Sequence, residues 1–340
     1  MNIKRVNLLN TPSLEKGLGF AGLDNWSDLV HAMYGYKVYR FLAVENDLAM
    51  GALNVVEIQH PVFGHYLTTS PYGSYGGFAY QNQTARDLLL KEAEQLAMEL
   101  GVSYAVVRAV DDASTPPAAW TEHPIYFTFL IDLPANSEDL LKTFSSDHRN
   151  HVRKSLKKGL SIRFGHLDLL DDAYRGLSMS MHELGSPYHS KAYLQTMAEK
   201  LGDTLEFAVV YDPQGKSAGA GVFVYQGDTV SNLHANILRD TRSLYAGEFF
   251  YWSVIERAIS KGLKTFDLGR SLLGSGNEVF KLKWSPRKQP LAYWYWLAEG
   301  QHLPSINQKN PKFQAVIAIW KRLPAFIVNL IGPYIIRGLA

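Results

Sequence analysis

The chain has no cysteine among its 340 residues. Disulfide staples, thiolate metal ligands and a cysteine nucleophile are excluded, and the composition is compatible with a reducing cytoplasm. An excess of charge of one sign is also lacking. Lys and Arg number 34 against 32 Asp and Glu, a formal net charge of +2, so recognition of a polyanion has to be local. No specific DNA binding is expected. No uninterrupted apolar run reaches the ~18 residues of a spanning helix, and Met1 to Gly17 lacks the apolar core of a signal peptide. The expected location is cytoplasmic, with peripheral contact at the inner face of the cytoplasmic membrane left open. Hydrophobic residues at 46% and charged residues at 19% fit a globular chain, and its length fits two domains better than one core.

What is present is one pattern used twice. "YRFLAVENDLAMGALNVVEI" (Tyr39 to Ile58) and "LEFAVVYDPQGKSAGAGVFVYQ" (Leu205 to Gln226) each read as strand, polar turn, strand. A further strand follows in each half, "GHYLTTSP" and "TVSNLHANI". Next comes a helix ending at a glycine, Gln83 to Leu100 and Ala246 to Lys261. Then come strands carrying Arg108 and Arg270, and a closing aromatic strand, "IYFTFLIDL" or "PLAYWYWL". The repetition predicts a duplicated α+β unit with a mixed, mostly antiparallel sheet in each half. The boundaries follow as 1–135, 136–300 and an apolar tail over 301–340.

Between the halves, "SSDHRNHVRKSLKKGLSIR" predicts a short helix over 146–159, capped by Asp147 or a neighbouring serine and stopped at Gly159. Arg149, Arg153 and Lys157 fall at i, i+4 and i+8, with Lys154 and Lys158 beside them. Such a face is either a solvated basic surface or a recognition site for phosphate or another polyanion.

Three stretches hold residues that could carry chemistry. In "FDLGRSLLGSGNEVFKLKW" a strand runs through Arg270 into Gly274-Ser275-Gly276 and then a helix presenting Phe280 and Lys281. Glycines admit close backbone approach to a ligand, yet neither a Walker nor a dinucleotide spacing is present. Lys281 beside Phe280 suits a partly desolvated cation that stabilises a developing oxyanion. In "SMSMHELGSPYHSKAY", His182 and Glu183 are candidate bases, and Tyr188 and His189 follow a turn. They do not form HExxH, and no metal is expected. In "NLHANILRD", His234 and Asn236 share one side of a strand. No serine nucleophile elbow is expected, so direct transfer between two bound substrates is the better chemical reading.

Together "MHELGSPYHSKAY", "FFYWSVIERAISKGLKTFDLGRS", "GSGNEVFKLKW" and "PLAYWYWL" resemble the FemAB-like branch of the GNAT acyltransferase superfamily. The likeness is nearest to the group associated with PEP-CTERM (exosortase) exopolysaccharide loci, over about residues 35 to 300. The resemblance implies tandem GNAT-like domains and acyl or aminoacyl transfer to an amine or hydroxyl on a cell-envelope or exopolysaccharide precursor. It implies that Phe280-Lys281 lies at the reaction centre, with Arg270, Gly274, Ser275 and Gly276 beside it and Arg149 and Arg153 in an Arg-rich stretch. No permanently bound cofactor is implied; acyl-CoA or aminoacyl-tRNA would be a co-substrate. Many relatives carry Gly where this chain has Ser285, after Trp284, which puts the local backbone in question. No long charged coiled-coil arm is visible. Neither half shows the Q/R-x-x-G-x-G/A pyrophosphate turn, which bears on the alternative of an acetyl-CoA-dependent N-acetyltransferase. A further alternative is a non-catalytic, membrane-edge polyanion-binding protein using the basic helix.

The tail "FQAVIAIWKRLPAFIVNLIGPYIIRGLA" (313–340) is apolar with interspersed Lys321, Arg322 and Arg337. Pro324 and Pro333 are expected to break it into helices too short to cross a bilayer. Trp320 beside two cations suits a membrane interface; packing onto the protein's own surface is the alternative.

Overall fold

A computed structural model describes residues 1–110, 113–304 and 311–340. In chain order the first stretch holds β1 (Asn2–Val6), α1 (Glu15–Leu18), α2 (Asp24–Tyr34), β2 (Lys37–Glu45), β3 (Leu48–His60), β4 (Gly64–Thr68), β5 (Phe78–Tyr80), α3 (Gln83–Leu100), β6 (Tyr104–Val110), β7 (Trp120–Glu122) and β8 (Tyr126–Asp132). Next come α4 (Ser137–Thr143), α5 (Ser146–Ser155), β9 (Ser161–Gly165), α6 (Leu170–Leu184), α7 (Lys191–Leu201), β10 (Leu205–Tyr211), β11 (Ser217–Gln226) and β12 (Thr229–Ile237). The chain continues through α8 (Ala246–Ser260), β13 (Thr265–Leu272), α9 (Gly276–Leu282), β14 (Arg287–Leu297), α10 (Pro311–Trp320) and α11 (Ala325–Ile336).

Two compact units result. The first comprises Met1–Thr128, Gln289–Ser305 and Arg337–Ala340; the second comprises Phe129–Lys288 and Ile306–Ile336. In the first, strands run in the order β1-β2-β3-β4-β6-β14. All neighbours are antiparallel except β4 and β6, which run parallel because α3 carries the chain back between them. The β2–β3 hairpin turns at Asn46-Asp47, both at positive φ, as a tight hairpin twist requires. Asn82 caps α3 by accepting from the Ala85 N–H, and Gly101 closes it at φ +63°. The apolar side of α3 (Leu89, Leu90, Ala93, Leu96, Ala97) packs with Phe41, Leu53, Val55, Leu67, Val107 and Trp294 of the sheet in one buried cluster. The last residues of the chain are tied into this unit. Tyr36 and Tyr72 hydroxyls donate to the Arg337 carbonyl, and Arg108 Nη2 donates to the Ala340 carbonyl at 2.7 Å.

The second unit repeats the plan in the order β9-β10-β11-β12-β13-β8. The strands β9 to β12 are antiparallel neighbours, and β12 and β13 are parallel with α8 between them in sequence. Helix α6 packs on β11 and β12. The expected α+β architecture of two mixed, mostly antiparallel sheets flanked by helices is therefore the observed one, and the repeat is longer than read. An edge strand and helices precede the first hairpin in each half, β1 with α2 and β9 with α6 and α7.

The unit boundaries differ from the expected 1–135 and 136–300. The aromatic strand β14 pairs with β6 of the first unit, Tyr293 opposite Arg108 and Trp294 opposite Val107, while β8 lies beside β13 in the second. Each closing strand thus completes the sheet that the other half began.

Residues 305–310 of the expected tail segment lie outside the described residues. Pro324 separates α10 from α11, but Pro333 stands inside α11 and does not end it. Proline costs one backbone hydrogen bond there, and the flanking residues keep helical geometry. Trp320 is buried, with its ring near Gly332, so it is not the interface residue expected. Among the described residues no helix is long and apolar enough to cross a membrane.

Candidate active site

In the second unit the parallel pair parts early. β12 and β13 pair at Thr229↔Thr265, Val230↔Phe266 and Ser231↔Asp267, and the pairing stops there. β12 carries a register shift against β11 just beyond, between the partners of Phe223 and Val222. Such a bulge bends a strand and re-aims its side chains. On the other side of the gap, Gly269 takes φ +75°, a conformation that a side chain would strain, and its N–H donates to Asp267 Oδ1 at 2.8 Å. The glycine within the strand is what sets the carbonyls of Gly269 and Arg270 to face α9.

Lys281 meets them. Its Nζ donates to the Gly269 carbonyl at 2.7 Å and to the Arg270 carbonyl at 2.8 Å, with the Phe129 ring centroid 5.6 Å away. The residue is only 8% exposed. Burial lowers its pKa to about 8; Asp267 opposes that shift and Arg270 adds to it. Two of the three ammonium N–H groups are taken by the chain's own carbonyls, which leaves one for a substrate oxygen. Phe280 is half-buried against Tyr251 at 5.2 Å and Trp284 at 6.3 Å. The Tyr251 hydroxyl accepts from Asn232 Nδ2 at 3.1 Å, which ties α8 to β12 at the opening of the gap.

The glycine loop before α9 is organised by its own residues. Ser275 Oγ caps α9 by accepting from the Glu278 N–H, and Glu278 Oε2 accepts from the Gly274 N–H at 2.6 Å. Glu278 Oε1 also accepts from Lys288 Nζ, and these donors hold its pKa below the usual range. An anion at Gly274 would therefore meet a carboxylate already seated there. Gly276 is open to solvent, and the Arg270 side chain is exposed.

His234 belongs to a second cluster. Its ring lies 5.5 Å from Tyr188 and 5.8 Å from His189, and His189 stacks on Tyr193 at 3.9 Å. Burial lowers the His234 pKa to about 4 and drives His189 well below its usual value, so both are neutral at pH 7. His234 Nε2 is buried without a hydrogen-bond partner among the described residues. His182 and Glu183, at the end of α6, are held differently: His182 Nε2 bonds the Trp320 carbonyl at 3.1 Å, and Glu183 Oε2 accepts from the Arg239 N–H at 3.2 Å. Asn232 and His234, two residues apart on β12, link the two clusters along the strand.

The basic helix is α5, capped by Ser145 Oγ and ending at Ser155. Lys157 and Lys158 follow the helix, so the face expected over three turns is shorter. Arg149 is half-buried with Nη1 donating to the Lys142 carbonyl at 3.2 Å; Arg153 and Lys154 are exposed. The His151 ring packs 4.9 Å from that of Tyr245, which at φ +56° precedes α8, so α5 lies beside the α8 N-terminus. His148, 2% exposed, points the other way. It stands edge-on to Trp284 at 4.6 Å and near Phe144 at 5.2 Å, and burial lowers its pKa to about 4.

Sequence reasoning missed Asn232, Tyr251, Asp267, His148 and the packing role of His189. The glycine inside the β13 strand and the 148, 152, 155 spacing of buried residues on α5 were the available signals. A Gly-x-Ser-x-Gly stretch does occur, Gly215 to Gly219, but it forms the β10–β11 hairpin. Ser217 is therefore not on the strand-to-helix turn of a nucleophile elbow.

A parallel pair that parts beside α8, together with the repeated mixed sheet, is a GNAT-like fold. Residues 146–282 match the family described as acetyltransferase (GNAT) domain. Among solved structures the chain is similar to FemX, with 11% identity, a TM-score of 0.69, and coverage of 92% of this chain and 100% of that one. It is also similar to a tandem GNAT protein from the clavulanic acid biosynthesis pathway, with 11% identity, a TM-score of 0.54, and coverage of 89% and 100%. A third similar structure is the C-terminal domain of a protein named as a lysylphosphatidylglycerol synthetase, from Agrobacterium fabrum. There the identity is 12%, the TM-score 0.56 and the coverage 79% and 87%. At these identities the likeness is one of fold. No curated protein sequence matches the chain.

Proposed function

We propose that the protein transfers an acyl or aminoacyl group directly from an activated donor to an amine or hydroxyl of a cell-envelope or exopolysaccharide precursor. The observation that carries this reading is Lys281, a buried ammonium anchored on two backbone carbonyls where β12 and β13 part. In direct transfer the acceptor nitrogen or oxygen attacks the donor carbonyl carbon, and the proton it loses ends on the departing sulfur or oxygen. The carbonyl oxygen takes up negative charge, and collapse expels the thiolate of an acyl-CoA or the ribose oxygen of an aminoacyl-tRNA. The remaining N–H of Lys281 meets the oxygen as charge develops, in a site where few waters compete. Phe280 and Tyr251 form the apolar wall beside it. His234 at a pKa of about 4 is a poor proton acceptor at pH 7, and its role is that of a neutral hydrogen-bond partner.

Support for an anionic donor comes from α5. Arg149, Arg153 and Lys154 stand on a helix packed beside the α8 N-terminus, where backbone N–H groups and the helix dipole also favour phosphate. The name of the lysylphosphatidylglycerol synthetase structure favours an aminoacyl donor and an envelope acceptor. An acetyl-CoA-dependent N-acetyltransferase is the second reading, favoured by the family description over residues 146–282. Thermal-shift screening against CoA esters and aminoacyl-tRNA, with mass spectrometry of the products formed on amino sugars and peptides, tests both. Stabilisation by CoA esters alone selects the second reading; stabilisation by neither class sinks both.

A further inference from the structure

Helices α10 and α11 carry an apolar face that the described residues leave uncovered. On α11, Phe326, Leu330 and Tyr334 recur every fourth residue and are 72%, 67% and 61% exposed, whereas Val328 and Gly332 on the opposite side are buried. Val316 and Ile319 extend the face along α10, and both are exposed. Leu184 adds to it from the C-terminal end of α6, the helix on which α11 packs. Between α10 and α11 stand Lys321 and Arg322, both exposed, and no Asp or Glu follows Glu299 in the sequence.

We propose that this face docks the protein on an anionic lipid bilayer, with α10 and α11 lying in the plane of the headgroups. Large apolar side chains exposed together on adjoining helices mark an interaction surface. The two helices span 10 and 12 residues, too short to cross a bilayer and suited to lying on one. Phe326, Leu330 and Tyr334 enter the acyl boundary, and Lys321 and Arg322 meet headgroup phosphates. Charge argues against a second copy as occupant, because a symmetric pairing of this face brings Lys321 and Arg322 of both copies together with no acid on the segment to offset them. The opposite, buried side of α11 lies against the histidine cluster: a Cβ at Gly332 would sit 3.2 Å from the Tyr188 carbonyl oxygen, and the Tyr188 ring abuts His234. A docked protein therefore holds that part of the second unit at the lipid surface.

Flotation of the full-length protein with vesicles tests this directly. Phosphatidylglycerol-containing vesicles are expected to carry the protein, and phosphatidylcholine vesicles to carry less. Phe326→Glu and Leu330→Glu, both at exposed positions and expected to keep the wild-type melting temperature, should each weaken flotation about tenfold. Lys321→Ala with Arg322→Ala should remove the preference for the anionic lipid. The proposal is overturned if the wild type stays unbound with phosphatidylglycerol vesicles, or if Phe326→Glu floats like the wild type. It is equally overturned by a concentration-dependent dimer that Phe326→Glu breaks while neither protein floats. Flotation is read without turnover, so its failure and a failed transfer assay are separate results.

Discussion

Lys281 Nζ donates to the carbonyl oxygen of Gly269 at 2.7 Å, and the carbonyl is placed to accept because Gly269 alone in its strand takes φ +75°. A strand glycine and a helix lysine, 12 residues apart in sequence, thus make one unit. The cost is the burial of an ammonium. Lowering its pKa from 10.5 to about 8 corresponds to roughly 3 kcal/mol held against the charged form at neutral pH.

Replacing Lys281 by Ala separates chemistry from stability. The substitution relieves that burial but strips the Gly269 and Arg270 carbonyls of their donor, each loss worth about 1–3 kcal/mol. These terms oppose, so the melting temperature should move by only a few degrees. Turnover should fall about 10²–10³-fold, the usual loss when an oxyanion donor is removed. Steady-state kinetics beside thermal denaturation checks the pair, and wild-type turnover in the variant removes Lys281 from the mechanism.

Lys281 also predicts a pH limb. The protonated form stabilises the oxyanion, so kcat should decline as pH rises through about 8. Stability should move the opposite way. Between about 8 and 10.5 the unfolded chain holds the lysine proton while the folded protein has lost it, so this residue's contribution to stability rises with pH over that window. Lys281→Arg, charged throughout, should abolish both trends. A profile in which kcat stays flat to pH 10 in the wild type counts against the assignment.

Much of this was legible in the residues. β-branched runs bounded by turn residues located β2 to β4, β6, β8 and β10 to β14, and the order of those strands gave the duplication, whereas the short strands β1, β5, β7 and β9 were not read. The exchange of β8 and β14 was not legible, since "YFTFLID" and "LAYWYWL" are equally suited to either sheet and a strand does not encode which edge it joins. In the site, Phe280-Lys281 stood out by resemblance, while its carbonyl partners depend on one backbone torsion. His148 was read as part of a basic helix, yet it points inward with Val152 and Ser155, a 3.6-residue periodicity that a count of charges hides.

Ser285 answers the question raised by the absent glycine after Trp284. The backbone keeps the left-handed conformation, φ +51°, with a serine in place, and its hydroxyl donates to the Thr143 carbonyl at 3.2 Å. A left-handed non-glycine residue costs about 1–2 kcal/mol, and an exposed hydrogen bond of this kind returns about 0.5–1. Ser285→Gly is therefore expected to raise stability by up to about 1 kcal/mol, and Ser285→Val, β-branched and without the hydroxyl, to lower it by more than that. Urea unfolding of the two variants gives the signs; a destabilised Gly variant would mean that the hydroxyl outweighs the torsion.

Acid should act through His148. The ring is enclosed by Phe144 and Trp284, both its nitrogens are buried without a hydrogen-bond partner among the described residues, and its pKa falls from 6.5 to about 4. The unfolded chain takes up this proton near pH 6.5, whereas the folded protein resists until about 4. Across that window the unfolded state binds more protons, so stability present above pH 6.5 is lost as pH falls, by up to roughly 3 kcal/mol from this residue. His234, lowered to about 4 by burial, adds in the same direction. His148→Phe keeps a ring of similar shape among the aromatics and cannot take a proton. Its unfolding free energy should lose less between pH 7.5 and 4.5 than that of the wild type, by about 2 kcal/mol or more. Equal acid sensitivity in the two proteins would place the acid-labile group elsewhere in the second unit.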